Sequence, residues 1–191
     1  LPLRPFATRE LRLLDGSPFA SAARTNARFL KQLSQPRLFF SFRRTAGLAQ
    51  PQNARPYGGW EGAGAGIRGH FVGHYLSALA YASAPGDDAP MLELAAAALR
   101  VLEACQRAHS AKGDAGYLAA FPTTEFDKVE TLTMEGAPWV PHYASHKVLA
   151  GLLALHEALP HAPGVASTAL ALALGMASWI WRRGRAQLAA K

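Results

Sequence analysis

The apolar residues of this chain recur at helical spacing in one segment after another, and proline or glycine ends most of these segments. Alanine and leucine supply most of the apolar positions, whereas valine and isoleucine are scarce, which favours helices over a sheet. With 50% hydrophobic and 17% charged residues, the 191-residue chain can form a real core. We therefore predict an all-α fold. Residues 1–191 should form a single domain, because no Gly/Ser linker divides them.

Six helices are predicted from this periodicity and from the residues that end it. Ser17 followed by Pro18 is a typical helix start, and an aspartate at 87 or 88 is a second candidate cap. The predicted helices cover residues 19–33, 37–45, 69–84, 87 or 88 to 109, 140–159 and 165–183. Between them, residues 114–136 contain β-favouring pieces, which predict a short extended hairpin or loop outside the core. Residues 182–191 are expected to form a basic tail.

The connections between these helices alternate in length. Residues 84–88 and 159–165 are short turns, whereas 46–68 and 110–138 are long. In a toroid of alternating inner and outer helices, every second helix begins at the same mouth. The third and fifth helices would then begin side by side, where the long loops enter them. Because binding residues concentrate on such loops, we expect a functional site at this mouth.

Two histidine pairs lie near the starts of those two helices. His70 and His74 are four residues apart, as are His142 and His146, so each pair shares one helix face. One interpretation is a metal site of four histidines between facing helices, although neither pair contains the glutamate of an HExxH motif. A commoner role is capping or ordinary hydrogen bonding.

A carbohydrate pocket is the third and favoured interpretation of the histidine pairs. Imidazoles can donate to and accept from sugar hydroxyls, and aromatic faces beside them can pack on the sugar ring. The aromatic candidates are Trp60, Tyr75, Trp139 and Tyr143.

Carboxylates matter because glycoside hydrolysis generally needs two of them flanking the bond, or a substitute nucleophile. The acids of the long loops are Glu61, Asp114, Glu125, Asp127, Glu130 and Glu135, and their spacing singles out no pair. Glu61 follows Trp60 in the loop that leads into the third helix. It is therefore the acid most expected to take part in a site.

Other classes of protein are disfavoured by the charge and cysteine content. The net charge is +7, but the basic residues are mostly scattered singly, with one cluster at Arg182, Arg183 and Arg185, and no nucleic-acid motif is present. The single cysteine, Cys105, lies in a helical pattern, so a disulfide or a cysteine-based metal site is not expected. Residues 165–181 contain Ser, Thr and Gly and precede arginines, so no membrane span is predicted.

Several motifs in a fixed order resemble glycoside hydrolase family 127, the β-L-arabinofuranosidase-like proteins. The two longest are YGGWE at 57–61 and RGHFVGHYLSA at 68–78, followed by GYLAAFP at 116–122 and HKVLAGLL at 146–153. The likeness covers about residues 5–180. It implies an (α/α)6 toroid, of which about six of the twelve helices would lie in this chain. The chain is thus expected to be the N-terminal part of the catalytic domain.

The resemblance also implies an activity. The family removes terminal L-arabinofuranose from plant-type glycans with retention, using a cysteine nucleophile on a zinc ion and a glutamate acid/base. Those residues come later in the family than this chain reaches, so no catalytic residue, metal ligand or zinc is expected here and the fragment should be inactive alone. Cys105 matches a structural helix position. A periplasmic or secreted location is favoured by the family.

His74 and His146 match the family's sugar-contacting histidines. The full set of expected substrate-binding residues is His74, His146, Trp60, Glu61, His70 and Tyr143. Position 142, usually aromatic in the family, is a histidine here. The alternative function is a non-catalytic helical interaction or dimerisation module, because an incomplete toroid would expose apolar faces that could pair with a second copy.

Overall fold

The computed structural model of the chain describes Leu3 and residues 6–51, 53–86, 88–133 and 140–189. Over these residues the fold is helical and contains no strand, which confirms the predicted class. The helices are α1 (Pro18–Gln32), α2 (Gln35–Leu38), α3 (Phe40–Ala46), α4 (His70–Ser83), α5 (Ala89–Ser110), α6 (Thr124–Glu130), α7 (Pro141–Ala158) and α8 (Pro163–Ala189), with 3-10 turns at Thr8–Glu10 and Gly59–Glu61.

The predicted helix starts follow the capping chemistry read from the sequence. Ser17 Oγ accepts from the backbone N–H of Ala20 at the start of α1, and Asp88 accepts from the N–H of Met91 at the start of α5. The alternative cap, Asp87, lies outside the described residues. The second predicted helix is divided into α2 and α3 at Phe39, whose buried ring packs edge-on against Phe42.

Residues 117–121 were expected outside the core, and that expectation is wrong. All five side chains are buried, although the segment is loop and not helix. The Tyr117 ring packs against His109 of α5 and Trp179 of α8, and its hydroxyl donates to the carbonyl of Phe121. Burying an irregular segment is possible here because side chains satisfy some of its backbone carbonyls: Arg68 donates to Ala120, and the Tyr117 hydroxyl donates to Phe121. Helix α6, which follows, was not predicted.

Helices α4 and α7 share the most extensive helix contact in the fold. Gly73 and Gly151 lie at the crossing, where the absence of side chains lets the two backbones touch. Helix α5 packs on α4, and α8 packs on α7 and α5. This arrangement of paired helices is consistent with a partial α/α toroid, and the complete ring stays a prediction.

Helix α8 extends beyond its predicted end. It continues to Ala189, through most of the residues expected as a basic tail, and Arg183 binds Asp127 and Glu130 of α6. It is also the one described helix that is long and apolar enough to cross a membrane, by length and composition alone, although no such span was predicted. Core helices of soluble proteins pass the same test, and α8 packs on α5 and α7.

Candidate functional site

Glu61 holds the start of α4 in place. Its carboxylate is buried and accepts hydrogen bonds from the backbone N–H groups of Gly69, at 2.8 Å, and Phe71, at 2.9 Å. These N–H groups would otherwise be unpaired at the helix end, and the helix dipole favours a negative charge there. Burial raises the pKa of Glu61, and the two backbone hydrogen bonds partly oppose that increase. Glu61 is therefore a supporting residue of the site more than an exposed contact.

Gly69 makes this geometry possible. Its φ of 92° lies in the left-handed region, which glycine adopts at little cost. A Cβ at this position would also lie 2.7 Å from Cβ of Ala120, in the buried loop after α5. The turn into α4 is thus compatible only with a residue that lacks a side chain.

His70, the first residue of α4, lies beneath the surface with 5% of its area exposed. Its Nδ1 is 3.2 Å from the carbonyl of Ile67, and because a carbonyl can only accept, Nδ1 carries the proton. Burial is the main cause of a lowered pKa for His70; the hydrogen bond to the Ile67 carbonyl opposes this shift, and the nearby His74 and Lys147 add to it. The neutral ring therefore leaves Nε2 as an acceptor.

Three other rings surround His70. Trp60, His74 and Tyr143 have ring centroids 5.5, 5.7 and 6.2 Å from that of His70. Trp60 and Tyr143 are 70% and 43% exposed, and His74 is exposed as well. The structure thus brings the loop before α4, the first turn of α4 and the first turn of α7 together in one surface. We call Trp60, His70, His74 and Tyr143 the histidine-aromatic surface.

His146 and Lys147 lie on α7, one turn after Tyr143. His146 is exposed, one residue before the backbone that Gly73 contacts, but no described ring contact joins it to the histidine-aromatic surface. Lys147 Nζ lies 5.0 Å from the centre of the Tyr143 ring, a cation-π distance. Lys147 was not among the predicted site residues, although its i, i+4 spacing from Tyr143 would have indicated it.

The second histidine pair diverges from the first. The ring of His142 packs edge-on against Phe126 of α6, with centroids 4.9 Å apart. Within the described part of the chain, no three histidine, cysteine or acidic side chains are grouped so that they could hold a metal ion. The four-histidine metal site is therefore not formed by these residues.

One of the other aromatic candidates, Tyr75, does not contribute to the surface. Tyr75 is buried in the core, where its hydroxyl accepts a hydrogen bond from Gln35. It faces a different side of α4, because it directly follows His74 and consecutive residues of an α-helix project about 100° apart. Trp139 lies outside the described residues.

Three of the remaining loop carboxylates form ion pairs within the fold. Glu125 pairs with Lys128 at 3.2 Å, while Asp127 and Glu130 bind Arg183. Asp114 lies in the turn after α5, and Glu135 falls outside the described residues. No two of the described acids face each other across the histidine-aromatic surface. The arrangement can stack on and hydrogen-bond to a hydroxyl-rich ligand, and its described residues include no acid pair of the kind that cleaves a glycosidic bond.

The one cysteine does not fit a zinc site. Cys105 is fully buried in α5, and burial raises its pKa to about 12, so it remains a thiol at neutral pH. A zinc ligand or a cysteine nucleophile must be a thiolate. Cys105 is a core residue, and the described residues form no group of three ligands that would fit the zinc that the family implies.

An open surface of histidine and aromatic rings on a helical fold has the chemistry of a site for a hydroxyl-rich ligand. The family model for the β-L-arabinofuranosidase, GH127 catalytic domain matches residues 10–190, and the chain belongs to this family. The match extends past residue 180, where the motif likeness ended. A comparison with curated proteins found no match. Family membership implies a carbohydrate substrate.

Proposed function

We propose that this chain supplies one wall of the sugar site of a β-L-arabinofuranosidase, which removes terminal L-arabinofuranose from plant-type glycans. The observation that carries the proposal is the histidine-aromatic surface, in which Trp60, His74 and Tyr143 are exposed around the buried His70. Its position at the start of α4 and α7 fits the mouth of a helical toroid.

Each residue has a distinct role in this proposal. The faces of Trp60 and Tyr143 pack on the C–H groups of the sugar ring, and His74 and His146 exchange hydrogen bonds with its hydroxyls. His70 positions the rings above it. Glu61 fixes the loop that carries Trp60 to the first turn of α4 through its two backbone hydrogen bonds.

In this proposal none of the described residues carries out catalysis. Glu61 is buried and engaged by Gly69 and Phe71, so it is not free to protonate a leaving group. Cys105 is remote from solvent. We therefore propose that this chain binds the sugar weakly and does not hydrolyse it alone.

Isothermal titration of the chain with L-arabinose tests the binding role. His74→Ala and His146→Ala should each weaken binding by roughly tenfold, the effect of one lost hydrogen bond to a neutral partner. His161→Ala is the matched control, because His161 is exposed in the turn between α7 and α8, at the other end of α7. Binding that is unchanged in both site variants would contradict the proposal.

A second candidate function, self-association, is favoured by one observation on α8. Leu174, Trp181 and Leu188 are exposed and seven residues apart, which places them in one apolar stripe along the helix. Such a stripe can pair with the same helix of a second copy. Light scattering of wild type and Leu174→Glu checks this: a dimer that the substitution dissociates supports pairing, whereas a wild-type monomer at high concentration contradicts it.

A further inference from the structure

A second concave site lies apart from the histidine-aromatic surface. A cavity of about 270 Å³ opens between α3, the loop before α4 and the loop after α5. Ser41, Arg44 and Thr45 line it from α3, and Arg68 lines it from the turn that leads into α4. None of the four rings of the histidine-aromatic surface belongs to its lining.

Arg68 is held in a fixed orientation at this cavity. Its Nε donates to the carbonyl of Ala120 at 2.9 Å, and its Nη1 donates to the carbonyl of Ala65 at 3.0 Å. No described protein atom accepts from Nη2. A guanidinium that is anchored on two of its nitrogens and retains a free third one is preorganised to bind an oxyanion.

The charge around the cavity is positive and only partly balanced. Arg44 lies close enough to Arg68 that its charge, after the larger effect of burial, contributes to a lowered pKa for Arg68. Glu125 acts in the opposite direction and more strongly than Arg44, but it is paired with Lys128 at 3.2 Å and does not line the cavity. No carboxylate is among the described residues that line the cavity. A bound anion would relieve the repulsion between the two guanidinium groups.

The other lining residues indicate that the ligand carries hydroxyl and apolar groups in addition to an oxyanion. The hydroxyls of Ser41 and Thr45 can exchange hydrogen bonds with ligand hydroxyls, and Ala63, Ala120 and Pro122 provide apolar contact. The volume is close to the lower end of ligand pockets, about 300 Å³, which suits one monosaccharide. We propose that this cavity binds a sugar that carries a carboxylate, a uronate, through Arg44 and Arg68. The site does not depend on the proposed role of His74.

Isothermal titration of the whole chain with D-glucuronate tests this site, with D-glucose and inorganic phosphate as separate probes. We expect saturable binding of D-glucuronate that weakens as salt is added, and no binding of D-glucose at the same concentration. Arg44→Gln should weaken D-glucuronate binding by roughly tenfold, the loss expected for one charge-assisted hydrogen bond. Arg24→Gln, which removes an exposed arginine on α1, should leave it unchanged.

Further variants and competing ligands distinguish a uronate site from a general sugar site or a phosphate site. Arg68→Lys keeps the charge but loses the fork, so it should also weaken binding, and circular dichroism verifies that each variant is folded. Equal binding of D-glucose, phosphate that displaces D-glucuronate with equal or higher affinity, or an unchanged Arg44→Gln variant would each overturn the proposal. His74→Ala should leave D-glucuronate binding intact, so failure of this site and failure of the arabinose site are distinguishable.

Discussion

Gly73 of α4 lies directly against the backbone of Lys147 on α7. A Cβ built on Gly73 would overlap the carbonyl of Lys147 and lie 2.6 Å from the backbone nitrogen of Val148. Gly151, one turn further along α7, approaches the same stretch of α4, where its Cβ would lie 2.8 Å from Cβ of Leu76. This close crossing brings the first turns of both helices, and with them His74 and Tyr143, to one surface.

The first prediction concerns this crossing. Gly73→Ala should lower the free energy of unfolding by about 1–3 kcal/mol, because two packed backbones must separate to admit the methyl group. Urea denaturation measures the change. The matched control is Gly164→Ala in the first turn of α8, where a Cβ meets nothing within 4 Å, and it should be neutral or stabilising. A neutral Gly73→Ala variant would show that the helices do not touch there.

Glu61 gives a second prediction, on pH. Its pKa is raised in the folded state, mainly by burial, so the folded chain binds this proton more tightly than the unfolded chain does. The contribution of Glu61 to stability is therefore largest below its ordinary value of 4.5 and declines as the pH rises through the raised pKa. Glu61→Gln should abolish this decline. Urea denaturation of both proteins between pH 4 and 7 measures it, and parallel pH profiles would contradict the burial of a titrating carboxyl.

His70 should show the opposite pH dependence. Its pKa is lowered, mainly by burial, so the folded chain resists protonation of the ring. The stability that neutral His70 provides is complete above its ordinary value of 6.5 and is lost as the pH falls through the lowered pKa. His70→Asn keeps a donor near Ile67 but cannot titrate. Acidification from pH 7.5 to 5 should therefore destabilise the wild type more than this variant, as followed by thermal unfolding.

Arg183 carries the fourth prediction. Its guanidinium binds Glu130 through two hydrogen bonds, at 2.6 and 2.7 Å, and lies over the rings of Phe126 and Trp179. Arg183→Ala should lower the free energy of unfolding by about 1–3 kcal/mol, because the Glu130 carboxylate loses its partner and the packing on two rings is lost.

The control for Arg183 is Arg185→Ala on the exposed side of α8, expected to be within about 0.5 kcal/mol of wild type. Hydrogen exchange of the α6 amides provides the structural measurement. If α6 is as protected in Arg183→Ala as in the wild type, the ion pair does not hold α6 to α8.

Local signals in the sequence predicted much of the fold. Ser17 and Pro18 indicated the start of α1 because a cap acts on N–H groups within one turn. The burial of Tyr117 could not be read locally, because it depends on Trp179, 62 residues later in the chain. Because this contact is so distant in the sequence, the segment that contains Tyr117, residues 114–136, was predicted to lie outside the core.

The site was partly predictable for a related reason. The i, i+4 spacing correctly placed His70 and His74 on one face, with ring centroids 5.7 Å apart. Spacing alone could not show that His142 packs on Phe126, since that contact depends on where α6 lies. Nor could spacing show that Glu61 is buried and accepts hydrogen bonds from the backbone N–H groups of Gly69 and Phe71. The arginine-lined cavity arises from three separate segments and had no signal in the sequence.

The most direct measurement of the central claim is a titration with L-arabinose followed by NMR of the histidine ring resonances. The account predicts that the resonances of His74 and His146 shift with a common dissociation constant, while those of His161 and the partly buried His156 do not move. Shifts that are confined to His156 or His161, or an absence of any shift at saturating sugar, would contradict a sugar site at the start of α4 and α7.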